Sequence, residues 1–423
     1  MARVNKTIEF SWNRVIVALA WSTLLLAFLI GQLASQTDYD ALLQKEMPDL
    51  ELIRYDFAKS YPMVYATEPV AGKMPVEVVM GEGNGFGGPL MLGIRAERSA
   101  KGVRSQEIVV LSHRESPAYL KRLQKRNFFR QFINKDVTDN FILGDDIDAV
   151  SGATVSSEGF AEAIRQALHT GAVEHLGMEP TWSEPEWHLS HNEYILVALF
   201  ALAFFGVYRR DKVAKLARLL VTVGTLVFVG FYANVSISLG SLAGIVMGYV
   251  PAFTQQPLWW IMMVGALGSI LFLGRNIYCH QICPFSVIQD LLQKISGIRL
   301  RIKPTMKRKA RAVIFFLSWI ALILIFLSTH PALGSYEPFS MMFSLEGMGI
   351  QWYILPASLL GSFFIPGFWC RLFCPVGLYL NEMVRIRRNI RNKLFSKTKA
   401  EPVRMVFRAV TSAEQAERAK KQD

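Results

Sequence analysis

Cysteine is nearly missing from this chain, with four residues in 423. That scarcity excludes a disulfide-stapled scaffold. Histidine is sparse too, seven in all, and no two stand at matched depth on facing apolar segments, which argues against b-type haem. Charge is thin: 19% of residues are charged, 52% are hydrophobic, and mean hydropathy is +0.26. The apolar excess lies in long charge-free runs, the mark of a polytopic membrane protein rather than a soluble multidomain one. Those runs hold almost no ionisable groups, and Arg218 sits at an edge where it can snorkel. An ion pump built on intramembrane carboxylates is therefore excluded.

Hydropathy gives six spans, at residues 15–33, 194–207, 216–239, 258–273, 312–328 and 353–368. Two connecting loops, 240–257 and 329–352, have no Lys or Arg at all, whereas residues 275–311 hold nine and a single acid, Asp290. This positive-inside asymmetry puts the basic loops, both termini and the early Arg3, Lys6 and Arg14 in the cytoplasm, and residues 36–192 outside. The net charge of +12 thus reads as juxtamembrane bias toward lipid, not as a nucleic-acid surface. The first apolar run exceeds the ~7–15 residues of a signal h-region, so a retained anchor is expected in the inner, cytoplasmic membrane. Trp259, Trp260, Trp352 and Trp369 fall near predicted interfaces and read as belt residues.

The expected architecture is an α-helical polytopic membrane protein with an inserted extracytoplasmic α+β domain. It comprises an anchor (1–35), the exported domain and linker (36–192), a five-span module (193–390) and a basic tail (391–423). Within the exported domain "VEVVMG", "LMLGIRAE" and "QEIVVLSH" read as strands, and "SPAYLKRLQKR" as a basic helix. A closing helix follows Thr154, with Phe160, Ile164, Ala167 and Leu168 on one face and Gly171 as its stop.

The membrane half is duplicated. Shifted by 91 residues, "IYCHQICPFSVIQDLLQKI" lies on "FWCRLFCPVGLYLNEMVRI", so Cys279 falls on Cys370 and Cys283 on Cys374. Both copies enter the cytoplasm in the same sense, a parallel repeat about an axis along the membrane normal. All four cysteines belong to these C-x-x-x-C-P motifs, on the reducing side, where thiols bind metal rather than pair. Four thiolates suit an iron–sulfur cluster or a structural zinc. Helix spacing would set each pair on one face, a turn apart. The plain alternative is small apolar residues packing helix ends. His280 lies on Arg371 in the repeat, so it reads as a basic neighbour rather than a ligand.

One polar stretch remains, "DIDAVSGATVSS", in which small residues lead into a helix at Thr154. By itself it is an ordinary capping pattern. "DAVSGAT" nevertheless resembles the flavinylation motif D-x-x-S/T-G-A-T of the FMN-binding domain shared by the small subunits of Rnf and sodium-pumping quinone reductases and by NosR/NirI-type proteins. Asp148, Ser151, Gly152, Ala153 and Thr154 match it. The resemblance implies FMN joined by a phosphoester to Thr154 by a dedicated flavin transferase, beside free helix N–H groups that favour an anion. Ser156 and Ser157 would cap or bind the phosphate. "GFGGPLMLGI", with Gly87 and Gly88, and "SHRESPAY", with His113 and Glu115, resemble further segments of that domain; the second departs from the family pattern at Ser116 and at Ala118–Tyr119. The membrane half resembles the C-x-x-x-C-P module of NosR/NirI-type and quinol-dehydrogenase-like membrane ferredoxins, without ferredoxin motifs after the last span.

Together these resemblances imply a membrane electron-transfer protein with one [4Fe–4S] cluster on Cys279, Cys283, Cys370 and Cys374. A quinol or ferredoxin donor and other electron-transfer subunits would serve it, and an extracytoplasmic acceptor would receive the electrons. The family also allows a redox sensor, or an assembly factor for an exported metalloenzyme. A hydrocarbon core about 30 Å thick would then separate the redox centres on its opposite faces.

Overall fold

The computed structural model of the chain describes residues 12–35, 38–54, 63–67, 76–85, 87–99, 102–183, 189–209, 211–251, 253, 256–334, 336–344 and 349–396. Arg3, Lys6 and the tail from residue 397 lie outside the described residues. The chain is mostly helical, with an α+β region after its first helix.

That region is built on a five-stranded antiparallel meander in sequence order. β1 (Leu52–Arg54) and β2 (Met63–Thr67) are short, and β3 (Glu77–Asn84), β4 (Pro89–Ser99) and β5 (Gly102–His113) form its body. The last three coincide with the branched-rich runs in the sequence; the first two are too short to stand out there. One sheet face is covered by α2 (Tyr39–Glu46) through Leu43 and Met47, packed on Tyr65, Val78, Met80 and Met91. The other carries α3 (Pro117–Lys125) and α4 (Thr154–Glu174), whose Phe160, Ile164, Ala167 and Leu168 are buried as the helical pattern requires.

α4 lies unusually close to β3, because both surfaces are made of small residues. A Cβ at Gly81 would stand 2.4 Å from the Ala163 carbonyl, and one at Gly159 would stand 2.4 Å from that of Asn84. Gly171 belongs to the same seam, where an added Cβ would meet Val79 at 3.1 Å. It therefore does not stop the helix, which runs on to Glu174: packing, not termination, explains this glycine.

Four helices are long and apolar enough to cross a membrane: α1 (Val15–Ala34, continuous with Trp12–Ala34), α5 (His191–Tyr208), α6 (Lys212–Tyr232) and α10 (Pro304–Ser328). α1 and α5 expose large apolar side chains such as Trp21, Leu25 and Val197 around their surfaces, as lipid-facing helices do. α6 begins at an Asp211 N-cap and its last turns, from Thr225, are wound as π-helix. Beyond it, α7 (Leu239–Met247) starts with a Ser238–Ser241 capping box and ends on Gly248 in the left-handed region. The two remaining predicted spans are shorter. α8 (Pro257–Leu273) runs for about 25 Å, and α12 (Gln351–Phe364), with Pro356 inside it, for about 20 Å. α9 (Pro284–Ser296), α11 (Phe339–Ser344), α13 (Phe368–Leu372) and α14 (Pro375–Ser396) complete the bundle.

The duplication holds in three dimensions. α6, α8 and α9 in one repeat answer to α10, α12 and α14 in the other; α5 packs on α6 as α1 packs on α10.

Candidate functional site

The segment before α4 is held open by its own backbone. Gly152 has φ +75°, a conformation that residues with a side chain disfavour, and it lets the chain turn directly into the helix. Ala153 is the N-cap and makes no side-chain capping bond, so Thr154 is the first helical residue, at the positive end of a 21-residue helix. Thr154 is partly exposed, whereas Gly152, Ala153 and Val155 around it are buried. The two serines expected to receive a phosphate are turned inward instead. Ser157 accepts from the Val150 N–H at 3.1 Å and donates to the Ala153 carbonyl, fixing the loop. Ser156 donates to Glu115 at 2.9 Å.

Glu115 is fully buried and joins all three motif segments. Its other oxygen accepts from the Gly87 N–H at 3.3 Å, and Gly85 and Gly87 are glycines because a Cβ at either would collide with residues 114–115. Gly88, at φ +133°, completes that turn. Asp148 is exposed, and its backbone is clamped by Gln131, whose amide both donates to the Asp148 carbonyl and accepts from its N–H. Asp148, Ala149, Val150 and Ser151 form one wall of a cleft of about 600 Å³, with Arg126, Asn127, Arg130 and Gln131 opposite, roomy enough for a flat cofactor.

The cysteine motifs are not continuous helices. Cys279 lies in a π-turn (Tyr278–Ile282) and Cys370 in α13; in each repeat a new helix then starts at the proline. Cys283 is the N-cap of α9, with Pro284 at the first helical position, where the missing N–H is not needed. Its sulfur takes N–H bonds from Phe285 and Ser286. The repeat does the same at Cys374, whose sulfur accepts from the Gly377 N–H at 3.3 Å. Helix N-termini aimed at sulfur favour thiolate, the ligand form. The four thiols lie within electrostatic reach of one another, drawn together from both repeats. Among the described residues, no three His, Cys, Asp or Glu stand close enough to hold one metal ion. A tetrahedral zinc needs its sulfurs about 3.8 Å apart. An iron–sulfur cage stands between its ligands and takes sulfurs set further apart than a single ion does. Two buried and two half-buried thiols that meet from both repeats without forming a single-ion site therefore suit it better.

The motifs are packed into the bundle. The Ile237 N–H donates to the Tyr278 hydroxyl at 2.8 Å, and a Cβ at Gly230 would touch Pro284 at 3.2 Å. Gly230 is 18 residues along from Lys212, about 27 Å up the axis from the basic end. In the second repeat the Tyr336 hydroxyl donates to the Phe373 carbonyl at 3.2 Å. Each chain therefore leaves its short helix at the basic end and folds back up into the bundle, then descends again as α9 or α14. The cysteine turns therefore pack beside the end of α6 away from Lys212, while Arg275 lies just past the end of α8 and Arg387 in the second half of α14. Arg275 stacks on Tyr208, and Arg387 donates to the Leu271 and Phe272 carbonyls.

The α+β domain rests on the opposite end, against the loops without Lys or Arg. Tyr119 donates to the Asn234 carbonyl, Arg122 to that of Ser344 at 3.1 Å, and Gln256 to that of Asn84 at 2.6 Å. Val155, next to Thr154, shares one hydrophobic cluster with Ile237, Tyr278, Phe343, Cys283 and Cys374. His113 meets His330 edge to face at 5.9 Å, and the Nδ1 of each is buried without a partner. Burial holds His113 below the usual imidazole range and lowers His330 to about 4, with the neighbouring His113 and Arg114 adding to the effect.

Several participants have no local signature in the sequence. Arg122 packs its guanidinium against Gly152, 3.1 Å from where a Cβ would be, so a cation stands beside the Thr154 turn. Glu158, one turn after Thr154, is pushed up to about 8 by desolvation and by Glu193 and Glu162. Two of the four tryptophans expected at the interface, Trp259 and Trp369, are instead core residues; Trp369 stacks on Phe373 beside the thiols. His280 donates from Nδ1 to the Asn276 carbonyl (2.7 Å) and belongs to the turn.

Comparison with known proteins agrees with this geometry. Residues 85–169 match the FMN-binding domain family, and residues 255–303 and 353–393 match the 4Fe-4S binding domain family, once in each repeat. The chain is 27% identical over 198 residues to the protein NirI of Paracoccus denitrificans, covering 43% of this chain and 29% of NirI. It is 26% identical over 227 residues to the regulatory protein NosR of Pseudomonas aeruginosa (48% and 31%), and 24% over 253 residues to NosR of Stutzerimonas stutzeri (55% and 35%). The chain thus spans about a third of the length of these relatives. No solved structure matches it.

Proposed function

We propose that this chain, a membrane protein of the NosR/NirI type with an FMN-binding domain and a paired 4Fe-4S binding domain, is an electron conduit. It would carry electrons between a flavin bound to Thr154 and a cluster bound by Cys279, Cys283, Cys370 and Cys374. FMN and a [4Fe–4S] cluster both exchange single electrons, which is the chemistry these two sites supply. The observation that carries the reading is the common core: Val155 packs in the same apolar cluster as Cys283 and Cys374. Both sites then border one continuous apolar core.

The residues divide the work. Gly152 and the bare N-terminus of α4 present the Thr154 hydroxyl for a phosphoester made by a flavin transferase, with Arg122 as the nearby cation. Glu115 locks the Gly87 turn to α4 so that the flavin site keeps its shape. Cys283 and Cys374 stand at helix N-termini, where N–H groups can support the sulfur once it binds metal. In this reading α8 and α12 complete six crossings, with an anchor (1–35), an exported domain and linker (36–192), a five-span module (193–390) and a basic tail (391–423). The α+β domain is extracytoplasmic in the inner membrane, where an external acceptor reaches the cleft lined by Arg126 and Arg130. Thiols raised toward that side favour a lipid-soluble quinol as donor over a soluble ferredoxin at the basic end.

The test uses full-length protein from a host with flavin transferase and cluster-assembly machinery. Denaturing-gel flavin fluorescence is expected in the native protein and lost in Thr154→Ala. Iron and acid-labile sulfide near four each per chain are expected, and lost in Cys283→Ser. A chain with neither fluorescence nor iron ends the proposal; a chain with both whose flavin is never reduced by a quinol analogue would be a sensor or assembly factor.

A further inference from the structure

We propose that Gln289 sets the electron affinity of the thiol site: its side-chain amide, reaching across from the first repeat, donates a hydrogen bond to the Cys370 sulfur of the second. The inference rests on the four cysteines being cluster ligands. The Nε2–Sγ distance is 3.0 Å, and Gln289 is completely buried on α9. Its orientation is not free. Oε1 accepts from the Trp369 backbone N–H at 3.0 Å; the Ser362 hydroxyl lies 3.3 Å from it but gives its one proton to the Ser358 carbonyl at 2.6 Å. The backbone donor on the oxygen leaves the NH2 group facing sulfur, with the Phe285 carbonyl at 3.5 Å as a further acceptor.

Burying a primary amide among apolar side chains is unfavourable unless its bonds are met. The duplication shows what this position accepts otherwise: the repeat partner of Gln289, 91 residues on, is Leu380, also fully buried. The helix N-terminal N–H bonds to Cys283 and Cys374 recur in both repeats, but this amide belongs to one repeat and serves the other. It therefore makes the two halves of the site unequal.

A donor on a ligand sulfur draws charge from it and stabilises the more electron-rich state, so it raises the reduction potential. The couple concerned takes up one electron, and no bond to Gln289 forms or breaks. Gln289 is thus a positioning and tuning residue, not a ligand.

The experiment is a redox titration of the cluster by electron paramagnetic resonance, in full-length protein with iron and sulfide measured on the same sample. Gln289→Leu, which installs the residue of the other repeat, is expected to lower the midpoint. The expected size is a tenfold fall in the reduced-to-oxidised ratio at fixed potential, which is about 59 mV for one electron. Gln289→Asn keeps a buried amide but withdraws its N–H from sulfur, and is expected to shift the midpoint in the same direction if the leucine variant loses iron. Ser362→Ala, which alters only the surroundings of the oxygen end, is expected to move it less. An unchanged midpoint in a variant with full iron and sulfide overturns the role of Gln289. Absence of iron and sulfide from the unmodified protein would overturn the cluster reading beneath it, a separate and recognisable result.

Discussion

The Tyr119 hydroxyl donates to the Asn234 carbonyl at 3.4 Å in a buried contact, and three residues later the Ile237 N–H donates to Tyr278. One short segment of the membrane bundle therefore touches the flavin-binding domain on one side and the first cysteine motif on the other. Tyr119→Phe should remove about 0.5–1.5 kcal/mol from this docking. Amide hydrogen exchange is expected to rise over residues 229–237 while α4 keeps its protection. Unchanged exchange there would show that the contact does not hold the domain down.

The close seam between α4 and β3 leaves no room for a methyl group. Gly159→Ala would set a Cβ 2.4 Å from the Asn84 carbonyl, so α4 must lift away from the Gly85–Gly88 turn. A loss of about 1–3 kcal/mol is expected from overpacking, seen as a lower melting temperature together with weaker flavin fluorescence. A melting temperature equal to that of the unchanged chain would contradict the seam.

Gly152→Ala acts on the turn rather than on the core. At φ +75° an added Cβ costs about 1–2 kcal/mol and presses on the Arg122 guanidinium. Flavin attachment at Thr154 should fall several-fold while the circular dichroism of the sheet domain stays the same. Full attachment would mean the turn tolerates a side chain.

Glu158 makes stability depend on pH from above. Its folded value, about 8, stands above the usual 4.5, because burial and the Glu193 and Glu162 charges disfavour ionisation. The stability that its protonated form contributes is complete below 4.5 and disappears as pH rises through 8. Thermal melts should therefore fall between about pH 5 and 8.5, and Glu158→Gln should flatten that slope. An equally steep slope in the variant would assign it to another group.

The His113–His330 contact gives the opposite dependence. Both imidazoles are held neutral, His330 down to about 4, so their contribution is intact above 6.5 and is lost as pH falls from 6.5 toward 4. Protease nicking between the domain and the bundle should increase over that range. His113→Phe combined with His330→Phe keeps an aromatic pair without a proton site and should abolish the acid response; if nicking still follows pH, the pair is not its origin.

Much of this molecule is visible in local chemistry. The apolar runs, the Lys- and Arg-free loops, the 91-residue duplication and the Ser-Gly-Ala-Thr turn are all patterns of neighbouring residues, and each survives in the structure as a helix, a loop face, a repeat or an N-terminus. Strands β3 to β5 are legible because they are runs rich in branched and apolar residues, eight residues or longer, separated by turn chemistry. Gly171 is not, since a glycine near a helix end signals a stop until Val79 is seen to lie against it.

What no local pattern could reveal is which distant groups meet. Ser156 and Glu115 are 41 residues apart, Gln289 and Cys370 81, Arg122 and Ser344 222. Their pairing depends on how helices and sheet pack, and composition or spacing has no access to that. The same holds for the cysteine turns. Charge orients whole helices because moving Lys or Arg across lipid is costly, but where a short turn comes to rest within the bundle is decided by packing, here against Gly230 and Ile237.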